Sequence, residues 1–138
     1  MYPPELVAPM KGELTQAGFQ ELLTPEQVDT VLNNTKGTTL VVVNSVCGCA
    51  ARMARPSVIL ALSQASKKPE KLTTVFAGVD RESTQRAREY MLPYPPSSPS
   101  IALFKDGKLV HFLERHHIES SPAEMIAENL KAAFNAYC

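Results

Sequence analysis

An unbroken apolar run, Leu40-Val41-Val42-Val43, stands three residues before a pair of cysteines, Cys47-Gly48-Cys49. A run without polar alternation fits a strand buried on both faces, and such a strand requires helices on both sides of its sheet. It passes through Asn44-Ser45-Val46 into the cysteines, and Ala50-Ala51-Arg52-Met53-Ala54 then reads as helix. A strand that hands a cysteine to a helix N-terminus places its sulfur where free N–H groups and the helix dipole favour the thiolate. A cysteine of pKa about 8.5 is only about 3% ionised at neutral pH. A helix terminus supplies roughly 0.3–2 kcal/mol, and a drop of one pKa unit raises the ionised fraction to about a quarter. Cys47, at the exposed edge of the motif, reads as the nucleophile, and Cys49 as the resolving thiol. Arg52 and Arg55 are close enough in sequence to add positive charge, if they turn back toward the sulfurs.

The spacing has a chemistry of its own. A disulfide closed across one residue is a very small ring, hard to form without strain, and strain makes the oxidised form easier to reduce. Gly48 eases closure because glycine adopts backbone angles closed to other residues. Such a pair suits exchange with mixed disulfides, or isomerisation, better than strong reduction.

At 138 residues the chain is long enough to build one hydrophobic core without disulfide staples. Fourteen Lys and Arg balance fourteen Asp and Glu, with no long run of either sign, so neither nucleic acid nor an anionic membrane is indicated as a partner. The start, Met1-Tyr2-Pro3-Pro4-Glu5, lacks the basic and apolar regions of a signal peptide, and no stretch approaches the ~20 apolar residues of a membrane span. The expected location is the cytoplasm, where thiols stay reduced. Three cysteines there point to catalysis or metal binding more than to a disulfide framework.

Along the chain, helices alternate with strands. Leu6, Met10 and Leu14 recur at helical spacing, with Pro9 and Gly12 making that segment irregular. Thr24-Pro25-Glu26-Gln27 is a helix start with a capping box, and Asn33-Asn34 with Gly37 ends the helix. After the strand at 38–46, a cysteine-led helix runs to about residue 66, kinked by Pro56. Residues 73–79 form a second buried strand, and Asp80 caps a helix reaching about Met91. Pro93 to Ser100 is a proline-rich loop. Strands at 101–104 and 109–113 join through Asp106-Gly107, a strong hairpin signal. Ser121-Pro122-Ala123-Glu124 reads as a second capping box, opening a final helix. The expected architecture is α/β, one domain over 1–138: N-terminal helices at 1–36, then a 37–138 core with a mixed sheet covered on both faces.

This order, with a dithiol after the first central strand and Ser98-Pro99 just before a hairpin, resembles the thioredoxin fold. The resemblance implies a cis proline at Pro99 opposite the redox cysteine, with Gly48, Ser98 and Pro99 meeting an extended substrate. More narrowly, the block from Thr38 to Ala51 is similar to the signature of the bacilliredoxin family. So are Pro9-Met10, Thr15 to Phe19, Val75-Phe76-Ala77-Gly78, Ser97-Ser98-Pro99-Ser100 and Arg115-His116. Members of that family remove bacillithiol, a low-molecular-weight thiol, from protein mixed disulfides, and some are described as disulfide isomerases. The resemblance implies catalysis by Cys47 and Cys49 with bacillithiol as thiol co-substrate and no other cofactor. S-bacillithiolated proteins are the implied partners, and a monomer is expected. Arg115, His116 and the terminal Cys138 are accessory candidates. The chain departs from ordinary thioredoxins in having no tryptophan, a Cys-x-Cys motif, and no carboxylate in the apolar strand to accept a proton.

Two other readings use the same residues. Cys47 and Cys49 with His116, His117 or Cys138 contain the ligand types for zinc or copper(I), although a Cys-x-Cys pair without a second Cys-rich half is a weak metal signal. The expectation is that no metal is bound. A non-catalytic interaction module of the same fold is the third reading, and the retained dithiol argues against it.

Overall fold

The computed structural model describes residues 2–33 and 35–138. Five strands form one mixed sheet in the order β1 (Gln20–Glu21), β3 (Lys71–Phe76), β2 (Thr38–Asn44), β4 (Ser100–Lys105), β5 (Lys108–Leu113). β1 and β2 both run parallel to β3, while β2–β4 and β4–β5 are antiparallel. Every residue of β2 is buried, as the apolar run Leu40 to Val43 at its centre demands, and the polar Thr38, Thr39 and Asn44 at its ends are buried with it. Alternation then assigns its side chains to two cores. Leu40 and Val42 join Ile101 and Leu103 against α1 (Pro4–Thr15), α3 (Arg55–Gln64) and α6 (Ala123–Tyr137). Val41 and Val43 join Val75, Ala102 and Phe104 against α2 (Pro25–Leu32) and α4 (Arg81–Tyr90).

Local signals explain most element ends. Thr24 Oγ1 accepts the Gln27 N–H at 3.2 Å, and the Gln27 side chain accepts the N–H of Leu23 rather than that of Thr24. α2 ends at Leu32 with Asn33 as its C-cap; Asn34 lies outside the described residues. The Asp106-Gly107 turn joins β4 to β5 with both residues at positive φ, 52° and 80°, the geometry of a two-residue hairpin loop. Asp106 also exchanges two 2.8 Å hydrogen bonds with Gly37, tying the hairpin to the start of β2.

Elsewhere the structure corrects the sequence reading. α1 is continuous over its 12 residues despite Pro9. The carbonyl Pro9 leaves unpaired is that of Glu5, an exposed residue near the helix start, where solvent access makes the missing bond cost little. Pro56 does not simply kink a helix: the turn before it widens into a π segment, Ala50–Ala54, closed by the Arg55 N–H on the Ala50 carbonyl. Asp80 makes no cap, because its carboxylate accepts Lys11 Nζ at 3.0 Å. The Ser121 capping box does not form either, since Pro122 occupies the cap position. A capping box instead opens a short helix the sequence did not announce, α5 (Arg115–Glu119), with Glu114 and His117 as reciprocal partners. β1, two residues long, was equally invisible.

Candidate active site

Register places the site. Val43 of β2 pairs with Ser100 of β4, so the loop entering β4 lies beside the loop leaving β2, which carries the cysteines. The Ser98–Pro99 bond is cis, as the thioredoxin resemblance implied, and Pro99 is buried. The Leu92–Pro93 bond, at the start of the same loop, is cis as well.

The cysteine loop is held from below by a buried polar clamp. Arg55 is only 2% exposed, and its Nη1 donates to Asn44 Oδ1 at 2.9 Å and to the Ser45 carbonyl at 3.1 Å. Its Nε lies 3.2 Å from Glu13 Oε1, an ion pair that lacks hydrogen-bond geometry. Asn44 bridges onward, its Nδ2 donating to the Met10 carbonyl and its Oδ1 accepting the Ser45 N–H. Ser45 Oγ then accepts the Cys47 N–H at 3.2 Å. A chain of hydrogen bonds thus runs from α1 through the buried guanidinium to the backbone of Cys47.

Helical turns open on the Cys47 carbonyl, which accepts from Ala50 N at 3.0 Å and Ala51 N at 3.3 Å. The Cys47 sulfur accepts the N–H of Cys49 at 3.3 Å. Partial burial pushes the Cys47 thiol up. The Cys49 N–H and thiol, the positive charge of Arg115 and the Ala50 N–H together outweigh it, leaving Cys47 below the ordinary cysteine value. Cys49 moves the opposite way: its hydrogen bond to Cys47, its own burial, the negative charge of Cys47 and a hydrogen bond to Glu119 raise it, against the opposing pull of Arg115. Ionisation is thus favoured at Cys47 and disfavoured at its neighbour. All three cysteines are unpaired, so the site is in its dithiol state.

The cation that acts on Cys47 is Arg115, on α5, whereas the sequence pointed first to Arg52 and Arg55. Arg55 turns inward to the clamp, and Arg52 lies over Gly48, where an added Cβ would come 3.1 Å from its Nη2. Gly48 is not at positive φ, so backbone freedom is not exercised in the dithiol state, and the nearest group to an added Cβ is the movable end of the exposed Arg52 side chain. Arg115 also donates from Nη1 to the Ser98 carbonyl at 3.3 Å and from Nε to Glu119 Oε2 at 3.1 Å. It therefore joins the cysteine turn to the loop of Ser98 and Pro99. Glu119 Oε2 is also the acceptor for the Cys49 thiol, with an S···O separation of 3.6 Å. Nothing in the sequence singled out Glu119; its one signal is that it follows Arg115 by one helical turn.

The remaining candidates lie apart from the sulfurs. His116 and His117 are exposed on α5, their rings 4.0 Å apart, with His117 Nδ1 taken up by the Glu114 N–H. Glu114, His116 and His117 are the one trio of metal-ligating types that comes together among the described residues, and no cysteine belongs to it. Two of the three are already spent on the α5 capping box. Cys138 ends α6 near Thr38, Lys105, Glu70 and Lys67, at the start of β2, the end of the sheet opposite Cys47. Burial pushes its thiol up, against the lowering effect of the Thr38 hydroxyl.

A mixed sheet covered on both faces, with a polarised dithiol at the C-terminal end of its central strand beside a cis proline, defines a thiol–disulfide oxidoreductase with the thioredoxin fold. Among solved structures, a thioredoxin of Fasciola hepatica superposes with a TM-score of 0.57 at 20% identity, covering 87% of this chain and all of that one. The oxidised mitochondrial thioredoxin 3 of Saccharomyces cerevisiae gives 0.58 at 17% identity, with 90% and 98% covered. Likeness at that identity speaks for the fold alone. The sequence goes further. The pattern of the family described as "Disulphide isomerase" matches residues 2–138. A bacilliredoxin of Cytophaga hutchinsonii is 61% identical over 135 residues, 98% of each chain. One of Halalkalibacterium halodurans is 51% identical over 137 residues, 99% of this chain and 94% of that one. The chain belongs to the bacilliredoxin family.

Proposed function

We propose that the protein removes bacillithiol from protein mixed disulfides, with Cys47 as the attacking thiolate. The observation that carries this reading is the polarised sulfur pair, in which the Cys49 N–H lies 3.3 Å from the Cys47 sulfur. The thiolate, not the thiol, is the nucleophile, and a sulfur with pKa near ambient pH attacks most efficiently. Cys47 attacks the bacillithiol-side sulfur of the mixed disulfide. A Cys47–bacillithiol disulfide forms, the protein–bacillithiol bond breaks, and the protein sulfur leaves as thiolate to be protonated by solvent. The exchange is neutral in electrons, and no other cofactor takes part. Ser98, Pro99 and Gly48 frame the position of the incoming disulfide, with Arg115 beside the attacking sulfur and His116 further along α5. The reading takes S-bacillithiolated proteins as partners, the cytoplasm as location, and a monomer as the working form.

The test mixes reduced Cys49→Ser protein with a bacillithiolated protein and reads intact mass. An adduct located at Cys47, with release of the partner thiol, supports the assignment. Absence of an adduct, or full activity in Cys47→Ser, overturns it. The family description favours a second reading, disulfide isomerisation through both cysteines. That reading predicts rearrangement of a scrambled disulfide substrate without bacillithiol, and loss of that rearrangement in Cys49→Ser.

A further inference from the structure

We infer that Glu119 keeps Cys49 in its thiol form and thereby leaves the adduct on Cys47 to be resolved by a second low-molecular-weight thiol. The inference rests on the function proposed above and names the residue that chooses between its two ways of finishing. Once Cys47 carries bacillithiol, two reactions compete. Cys49, after losing its proton to solvent, can attack the Cys47 sulfur, forming the Cys47–Cys49 disulfide and expelling bacillithiol thiolate. Alternatively a second bacillithiol thiolate attacks the bacillithiol-side sulfur, forming bacillithiol disulfide and restoring the Cys47 thiolate. The first route requires a Cys49 thiolate, and the geometry disfavours one.

The carboxylate of Glu119 accepts from the Cys49 sulfur at 3.6 Å. That hydrogen bond exists only while Cys49 holds its proton, and a thiolate in its place would face a carboxylate. Arg115 fixes Glu119 there with an Nε–Oε2 bond of 3.1 Å and is itself anchored to the Ser98 carbonyl at 3.3 Å. One helix, α5, thus presents a cation toward Cys47 and an anion toward Cys49. The titratable groups that shift Cys49 are Cys47 from its own turn and Arg115 and Glu119 from α5, and Arg52 of the π segment is the further charged group beside the turn, over Gly48. In the adduct the negative charge of Cys47 is gone, so Glu119 is the anion that remains. The small ring across Gly48 works in the same direction.

The readout is the lifetime of a Cys47 adduct in the absence of free thiol. Reduced protein is loaded at Cys47 with the chromogenic aryl thiol of Ellman's reagent, which requires no affinity for bacillithiol. Release of the aryl thiolate, with formation of the intramolecular disulfide by mass, is followed against pH. Lowering the Cys49 pKa by one unit multiplies its thiolate about tenfold, and a Brønsted coefficient of about 0.4–0.5 returns roughly a factor of three. Glu119→Gln is therefore expected to shorten the lifetime about threefold at neutral pH and move its pH profile to lower pH. Glu119→Asp, which keeps the charge, is expected to lie nearer the parent. Alkylation of Cys49 against pH in Cys47→Ser protein, with and without Glu119→Gln, reads the same shift with no adduct at all. An unchanged or longer lifetime with an unshifted Cys49 profile overturns the inference. Failure of the parent to accept bacillithiol, with the Glu119→Gln acceleration intact, instead overturns the proposed substrate.

Discussion

At the scale of single residues, the chemistry rests on small charges placed at the right sulfur. The tendency of Cys47 to ionise was legible in the sequence, because a strand running into a helix exposes N–H groups at the junction whatever the rest of the fold does. The identity of the helping cation was not. Arg52 and Arg55 are near in sequence, but Arg55 is drawn inward by the Asn44 and Ser45 oxygens, and Arg115 arrives from more than sixty positions away. Arg115→Gln tests that assignment. Removing the cation raises the Cys47 pKa, so the thiolate is lost at higher pH than in the parent. The rate of attack on a small disulfide is expected to fall roughly two- to tenfold at neutral pH and to converge with the parent well above the shifted pKa. A stopped-flow pH profile checks it, and a uniform loss at all pH values would mean that Arg115 positions substrate without tuning charge.

At the scale of elements, the junction of β2 with α3 depends on a charge that is not in the site. A buried guanidinium is costly unless it is paired, and Arg55 offsets that cost with two hydrogen bonds from Nη1 and an ion pair to the half-exposed Glu13 carboxylate, which leaves Nε without a hydrogen bond. Arg55→Met removes the donors while keeping much of the volume. Asn44 Oδ1 keeps the Ser45 N–H as donor, but the Ser45 carbonyl loses Arg55 and the loop under Cys47 loosens. We expect a loss of about 2–4 kcal/mol in urea unfolding, with a slower Cys47 reaction as its companion. The long elements were legible in the sequence, because the centre of β2, Leu40 to Val43, is an unbroken apolar run and the Asp106-Gly107 turn needs two positive φ angles. β1 and α5 were not, because both are too short for a period to emerge. The caps at Asp80 and Ser121 were misassigned, because a tertiary partner, Lys11, claims one and Pro122 displaces the other. Much of what tunes the site sits on α5, so the least legible helix carries the missing chemistry.

At the scale of the molecule, sheet topology separates the three thiols into two places. Cys47 and Cys49 follow the last residue of β2, whereas Cys138 packs near its first, Thr38. A strand rises about 3.3 Å per residue, so the length of β2 alone sets the two ends roughly 20 Å apart. A disulfide needs Cα atoms within about 7 Å, and no rotamer change closes that gap. The accessory role that the family resemblance gave Cys138 therefore cannot run through a bond to the catalytic pair in this fold. Cys138 is exposed as a residue, and partial burial of its sulfur pushes the thiol up, so its surroundings do not favour the thiolate as the helix N–H groups do at Cys47. Cys138→Ser is expected to leave the rate of adduct formation at Cys47 within about twofold of the parent, since mutations this far apart act independently. Mild oxidation followed by peptide mapping should find Cys47 joined to Cys49 or to added thiol, and Cys138 free or bridged to a second chain. A Cys47–Cys138 or Cys49–Cys138 peptide from a monomer would require α6 to leave its place on the sheet. That result would replace the fixed two-ended arrangement with a molecule whose last helix detaches under oxidation.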